Sequence, residues 1–287
     1  MKKMIAKILT SFLIVAFSLV SISFAETAEE KGHRIMKKID ELPTFEKTFT
    51  ESAFKIYDAG GKLLFTKKFR SASFNTDYKD PSKRLSKAIS YFYAPADDKG
   101  NAALMMEKPG DEDNDQWMYL KGLRKPKRII GSDKSSSYMG SDFSNGDISR
   151  GDFDEYHYKW LATEKYKFKK KTLKLEKIEV IFKDEQDRED YGYSKSVALV
   201  HPASGMIFKG DSYNLDGQHI KTMEMLSFKV IKNRDGKKVF MPTGMKMSNL
   251  LRGTKTIMEM KKIKVEKQVK KIKPSIFSLD YLTRRWW

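Results

Sequence analysis

Cysteine is absent from the 287 residues. Its absence excludes a disulfide scaffold, a thiolate metal site, a cysteine nucleophile and a cysteine acylated at a lipobox. Histidine is scarce, and His33, His157, His201 and His219 show neither HxH nor HxxxH spacing, so no zinc site is expected. His201, before Pro202 at a strand end, reads as structural. A G-x-S-x-G elbow and a P-loop are also missing. No catalytic residues, no metal and no cofactor are expected, and the chain reads as a binding protein rather than an enzyme. Beyond Val20, no apolar run approaches the roughly 20 residues a membrane helix needs.

The one apolar run lies at the start. Lys2, Lys3 and Lys7 precede Ile8 to Val20, and Ser23-Phe24-Ala25 sets small residues at cleavage-site spacing. This pattern predicts a secretory signal peptide over 1–25 and a single domain over 26–287, exported, in a cell with two membranes, to the periplasm. Composition supports a folded domain, with 40% hydrophobic and 12% aromatic residues. The formal charge of +18 suits nucleic acid, anionic lipid or mere solubility. Export argues against nucleic acid. Most lysines alternate with apolar residues, as in Thr172-Leu173-Lys174-Leu175-Glu176, which describes a solvated sheet face with some capacity for transient contact with a membrane surface.

Glu26 to Leu42 carries Ile35, Ile39 and Leu42 at helical spacing, with acids early and lysines late, and Pro43 ends it. From there the period changes to two. Turns such as Ala59-Gly60-Gly61-Lys62, Leu215-Asp216-Gly217 and Arg234-Asp235-Gly236-Lys237 separate strand-like runs. The expected fold is mainly β: a strongly curved antiparallel meander of about eleven strands, forming an open half-barrel because one helix cannot cover so wide a sheet. Phase changes within Leu173 to Phe182 and after Met225 predict bulges. Met223 and Met225, with Met105, Met106, Met245, Met247, Met258 and Met260, fall on strands and suit an interior that adapts to flexible apolar guests.

The segment from Gln116 to Ile148 breaks the strand rhythm. Trp117 and Tyr119 lie on an aromatic strand. A basic cluster of Arg124, Lys127 and Arg128 around Pro126 follows, then a Ser/Gly-rich loop from which Tyr138, Met139 and Phe143 are expected to project. The pattern W-x-Y-L, a basic pair, then S-D-K-x-x-S-Y-M-G-S-D-F-S resembles the outer-membrane lipoprotein-sorting protein family of LolA-like periplasmic carriers. Lys121-Gly122 stands where members usually have proline after Leu120. The resemblance implies a half-barrel lidded by helices, an apolar cavity for the acyl chains of a lipid or lipoprotein, and association with a transporter of the resistance-nodulation-division type. Trp117, Tyr119, Tyr138, Met139, Phe143, Met223 and Met225 are then the expected acyl contacts, and Arg124, Lys127 and Arg128 the head-group contacts.

The acids between Gly110 and Asp115 begin like a calcium loop but lack its glycine and its final glutamate, and are expected to form a solvated turn. Asp142, Asp147, Asp152, Asp154 and Glu155 read as loop acids. Two functions fit: a carrier that moves an amphiphile, or a periplasmic sensor of envelope lipid that acts by protein contact.

Overall fold

The computed structural model describes residues 25–109, 114–149 and 151–287; the expected signal peptide, all but its last residue, and the stretch 110–113 lie outside the described residues. Thirteen antiparallel strands form one open sheet. They are β1 (Lys47–Tyr57), β2 (Leu63–Asn75), β3 (Ser86–Ala94), β4 (Ala102–Met106), β5 (Asp115–Tyr119), β6 (Pro126–Arg128), β7 (Tyr156–Phe168), β8 (Lys171–Phe182), β9 (Lys195–His201), β10 (Met206–Tyr213), β11 (His219–Lys232), β12 (Lys238–Asn249) and β13 (Lys255–Val265). The order is β6-β5-β4-β3-β2-β1-β13-β12-β11-β10-β9-β8-β7. Two meanders therefore meet where β1 pairs with β13, and β6 and β7 are the free edges. This is the expected curved half-barrel, with β6 as the strand that the basic, proline-bearing sequence concealed.

The predicted bulge after Met225 is present, whereas β8 itself carries none and the irregularity at its level lies in the partner strand β7. Between Met225 and Phe228 the register of β11 against β12 shifts twice, and β7 gains a residue between Trp160 and Ala162, opposite Ile178 of β8. Leu175 and Ile178, three residues apart on an unbulged β8, point to opposite faces and join different apolar clusters. Each bulge bends its strand and adds twist, which curves the sheet.

Helix α1 (Ala28–Asp40) begins with a reciprocal Thr27/Glu30 capping box and ends with Lys37 and Lys38 in its last turn, as its dipole favours. It packs Ile35 onto Tyr158, Ile178, Ala198 and Val200. Gly32 permits the close approach, since a Cβ there would lie 2.8 Å from the backbone nitrogen of Trp160. Helices α2 (Asn145–Ile148) and α3 (Glu185–Tyr191) stand at the start and finish of the β7–β8 hairpin.

Register sorts the residues of β1–β5 onto two faces. Phe54, Phe69, Phe92, Ala103 and Met118 share one face; Ala72, Ile89, Leu104 and Trp117 share the other. Segment 266–287 wraps the second face, burying Ile272, Ile276, Phe277, Leu282 and Trp286 against Ile89 and Leu104. The first face looks into the curve.

Candidate functional site

Between the two free edges the chain runs from Ile129 to Glu155, and this connection enters the curve of the sheet. Tyr138 N–H donates to the Phe143 carbonyl (2.8 Å), and Ser137 bridges to Ser144. The turn between them needs left-handed backbone, at Met139 (φ 52°) and Gly140 (φ 73°). So tight a hairpin directs Tyr138, Met139 and Phe143 the same way, into one cluster with Phe54, Phe69, Phe92, Met247 and Met258. Phe143 stacks on Phe54 at 5.7 Å between centroids, and Tyr138 meets Phe54 edge-on at 6.2 Å. The expectation that Tyr138, Met139 and Phe143 project from a loop is corrected here: they are 2%, 6% and 3% exposed. Serine and glycine around them do not loosen the segment. They make the turn and its hydrogen bonds, so that three large side chains form a plug.

Two carboxylates tether the plug to the sheet. Asp142, from the plug, accepts hydrogen bonds from the hydroxyls of Thr254 and Thr256 near the start of β13. Asp147 of α2 accepts from Tyr193 Oη (2.8 Å) and from Lys221 Nζ of β11 (2.9 Å), which also donates to Tyr193 Oη (2.8 Å). Burial, then the neighbouring Asp147 charge, push the Tyr193 hydroxyl far up, so it stays a donor. Burial pushes the Tyr138 hydroxyl up to about 12. Sequence reasoning read Asp142 and Asp147 only as loop acids and missed Thr254, Thr256, Tyr193 and Lys221. Their partners lie far away in the chain, and no local signal links them.

Six methionines besides Met139 pack around the plug: Met118, Met223, Met245, Met247, Met258 and Met260. Met223 and Met225 share a face of β11, but Met223 packs at the plug while Met225 is buried in the next cluster, with Leu199, Met206 and Phe208. Met245 packs against both clusters and joins them. Beyond it, Phe168, Phe208, Phe228 and Phe240 form successive ring contacts of 5.0 to 6.1 Å. Next to these rings, Leu226 and Val230 of β11 remain exposed. Apolar side chains are thus packed continuously from the plug to these buried and half-buried rings.

The remaining expected contacts lie elsewhere. Trp117 and Tyr119 pack under the C-terminal segment, on the face away from the plug. Arg124 is exposed, in a turn at φ 54°. Lys127 Nζ holds Asp133 (2.7 Å), and the Arg128 guanidinium holds one Asp115 oxygen with Nε (2.9 Å) and Nη2 (2.7 Å). Arg128 lines a cavity of about 200 Å³ with Met105, Ile148, Glu155 and Tyr191. Burial, with Asp152 and Asp187 nearby, pushes the Glu155 carboxyl up to about 7. No group of side chains among the described residues is arranged to hold a metal ion.

The fold, an open antiparallel half-barrel whose edge-to-edge connection packs against one face of the sheet, is shared with solved structures of lipoprotein-sorting and LolA-superfamily proteins. The chain has a TM-score of 0.75, at 24% identity, with a domain from Vibrio parahaemolyticus named for outer membrane lipoprotein sorting, covering 89% of this chain and 100% of that one. A DUF1329 family protein from Desulfovibrio piger gives 0.76 at 24% identity, over 89% of this chain and 99% of its own. The LolA superfamily protein NE2245 from Nitrosomonas europaea gives 0.60 at 21%, over 90% of this chain and 100% of its own. A family model described only as "uncharacterized protein" matches residues 84–284, and the chain belongs to that family. No curated protein matches the chain.

Proposed function

We propose that this protein is an exported carrier that takes acyl chains of a lipid or lipoprotein into the half-barrel, in the space the plug fills when no ligand is bound. The observation that carries the reading is the lining of six methionines around the plug, continuous through Met245 with the neighbouring aromatic cluster. Unbranched thioether side chains repack around guests of varied shape. The exchange is energetically even-handed. Withdrawing Tyr138, Met139 and Phe143 costs about 1.5–3 kcal/mol per side chain, and an entering acyl chain gains about 0.8 kcal/mol per buried CH₂. The tethers to Thr254, Thr256 and Tyr193 exchange for water at about 1 kcal/mol each. Binding and release are then both accessible, as a carrier requires.

Arg124, exposed at the β5–β6 turn, and the neighbouring Lys127 and Arg128 would meet an anionic head group. A periplasmic location and a resistance-nodulation-division transporter as donor or acceptor complete the proposal. They are supported by the signal-like start of the sequence and by the fold shared with lipoprotein-sorting proteins. Native mass spectrometry of protein purified from periplasm, with lipid extraction, tests it. A co-purifying acylated molecule is expected; a protein that carries none and binds no fluorescent fatty acid would overturn the reading.

A further inference from the structure

The end of the sheet that bears the β1–β2 turn carries a concentration of exposed apolar side chains that the fold does not use. Tyr57, the last residue of β1, pairs with Lys255, the first of β13, so the β1–β2 turn and the β12–β13 turn lie side by side. They touch: a Cβ at Gly253 would sit 3.1 Å from the Cβ of Ala59. On the first hairpin Leu63, Leu64 and Phe65 are 46%, 46% and 53% exposed, and on the second Leu250 and Leu251 are 47% and 61% exposed. Successive strand residues point to opposite faces. Exposure of three in a row therefore means that neither face of the hairpin tip is covered, and the tip projects. Leu215, 53% exposed, stands in the β10–β11 turn at the same end.

Cations outnumber carboxylates around these side chains, although Asp58 closes the first turn by accepting from the Lys62 backbone N–H and Asp216 follows Leu215. Residues 59–68 and 249–257 contain Lys62, Lys67, Lys68, Arg252 and Lys255 and no carboxylate. Lys67 is held by Asp98 (2.9 Å). Lys62, Lys68 and Arg252 form no ion pair among the described residues. Apolar side chains on a projecting tip, collared by unneutralised cations, match the boundary between acyl chains and anionic head groups. The apolar part gains by leaving water while the cations stay at phosphate depth. A groove for a partner helix or peptide would instead be concave.

We propose that this end of the sheet docks the protein on an anionic phospholipid surface, with Leu63, Leu64, Phe65, Leu250 and Leu251 entering the interface and Lys62 and Arg252 on the phosphates. The docking surface does not depend on acyl-chain carriage, because it lies outside the plugged interior. Co-sedimentation with phosphatidylglycerol vesicles and with phosphatidylcholine vesicles tests it. The protein is expected to bind phosphatidylglycerol more strongly and to release it as salt rises. Leu64→Glu with Leu251→Glu is expected to weaken binding to both vesicles by at least about tenfold. Lys62→Gln with Arg252→Gln is expected to weaken binding to phosphatidylglycerol alone, by about fivefold per cation. Both pairs should melt like the parent protein and bind a fluorescent fatty acid equally well, which separates loss of docking from loss of the interior site. Absence of vesicle binding by the parent overturns the proposal, as does undiminished binding by the Leu64→Glu/Leu251→Glu protein. So does a parent dimer that those two substitutions convert to monomer, since the tip then joins two copies of the chain.

Discussion

Asp142 and Thr256 hold each other twice. The backbone N–H of Asp142 donates to Thr256 Oγ1 at 2.9 Å, and that same hydroxyl donates to Asp142 Oδ2 at 2.7 Å. Thr256 is fully buried and Asp142 is nearly so, which places a carboxylate inside the half-barrel at the foot of the plug.

Thr256→Val keeps the shape and removes both bonds. It leaves a buried amide without its acceptor and a buried carboxylate with one hydroxyl partner fewer. A buried polar group left unsatisfied costs about 1–3 kcal/mol, more when charged. A loss of about 3 kcal/mol is expected in urea unfolding. Thr254→Val, at a half-buried position, should cost less.

Phe143→Ala separates two roles for the plug. As a core residue, its truncation should cost about 3–5 kcal/mol of stability. If the plug competes with the acyl chain for one space, the same change should tighten binding of a fluorescent fatty acid, as should Tyr138→Ala. Were these residues ligand contacts on a gating loop, affinity would fall instead. Equilibrium titration at a temperature where both variants are folded reads the sign.

Glu155 makes stability depend on pH. Its carboxyl, ordinarily at 4.5, is pushed up to about 7 chiefly by burial, so the folded state holds the proton more tightly than the unfolded chain does. The resulting stabilisation is complete below pH 4.5 and is lost as pH rises through about 7. Glu155→Gln should raise the melting temperature by a few degrees at pH 8 and leave it unchanged at pH 4. Calorimetry at both pH values checks this.

Arg124 and Arg128 should respond differently. Arg124 holds φ at 54°, a conformation that glycine adopts without strain, so Arg124→Gly should raise stability by roughly 1 kcal/mol. Arg128→Gln gives up a partly exposed pair with Asp115 and should cost about 1 kcal/mol or less. Thermal unfolding of the two single variants distinguishes them.

The architecture was legible because antiparallel meanders are written locally. Period-two runs separated by Gly-Lys and Asp-Gly turns mark several of the hairpins, although β7–β8 turns at Lys169-Lys170, and the apolar phase shift after Met225 marks a bulge that is present. Strand β6 escaped because three residues beginning with Pro126 show no alternation, and Pro126 is tolerated only because β6 is an edge. The plug was visible as a departure from rhythm, yet its direction was not. Serine, glycine and aspartate describe equally a solvated loop and a tight turn whose polar groups are all satisfied inside. What decides between them is Thr256, more than a hundred residues away. Trp117 and Tyr119 were read with the plug because they are near it in sequence, but alternation along β5 sends them to the opposite face from Met118.

The pairing of β1 with β13 joins the two meanders in mid-sheet, while the plug segment connects the outermost strands. A cut within that segment would sever the covalent link without touching any ladder. The two fragments, one ending and one beginning in the plug, would each keep a complete meander and remain zipped together along Thr48↔Val265 to Tyr57↔Lys255. Two fragments made by such a cut are therefore expected to complement each other through the β1–β13 ladder.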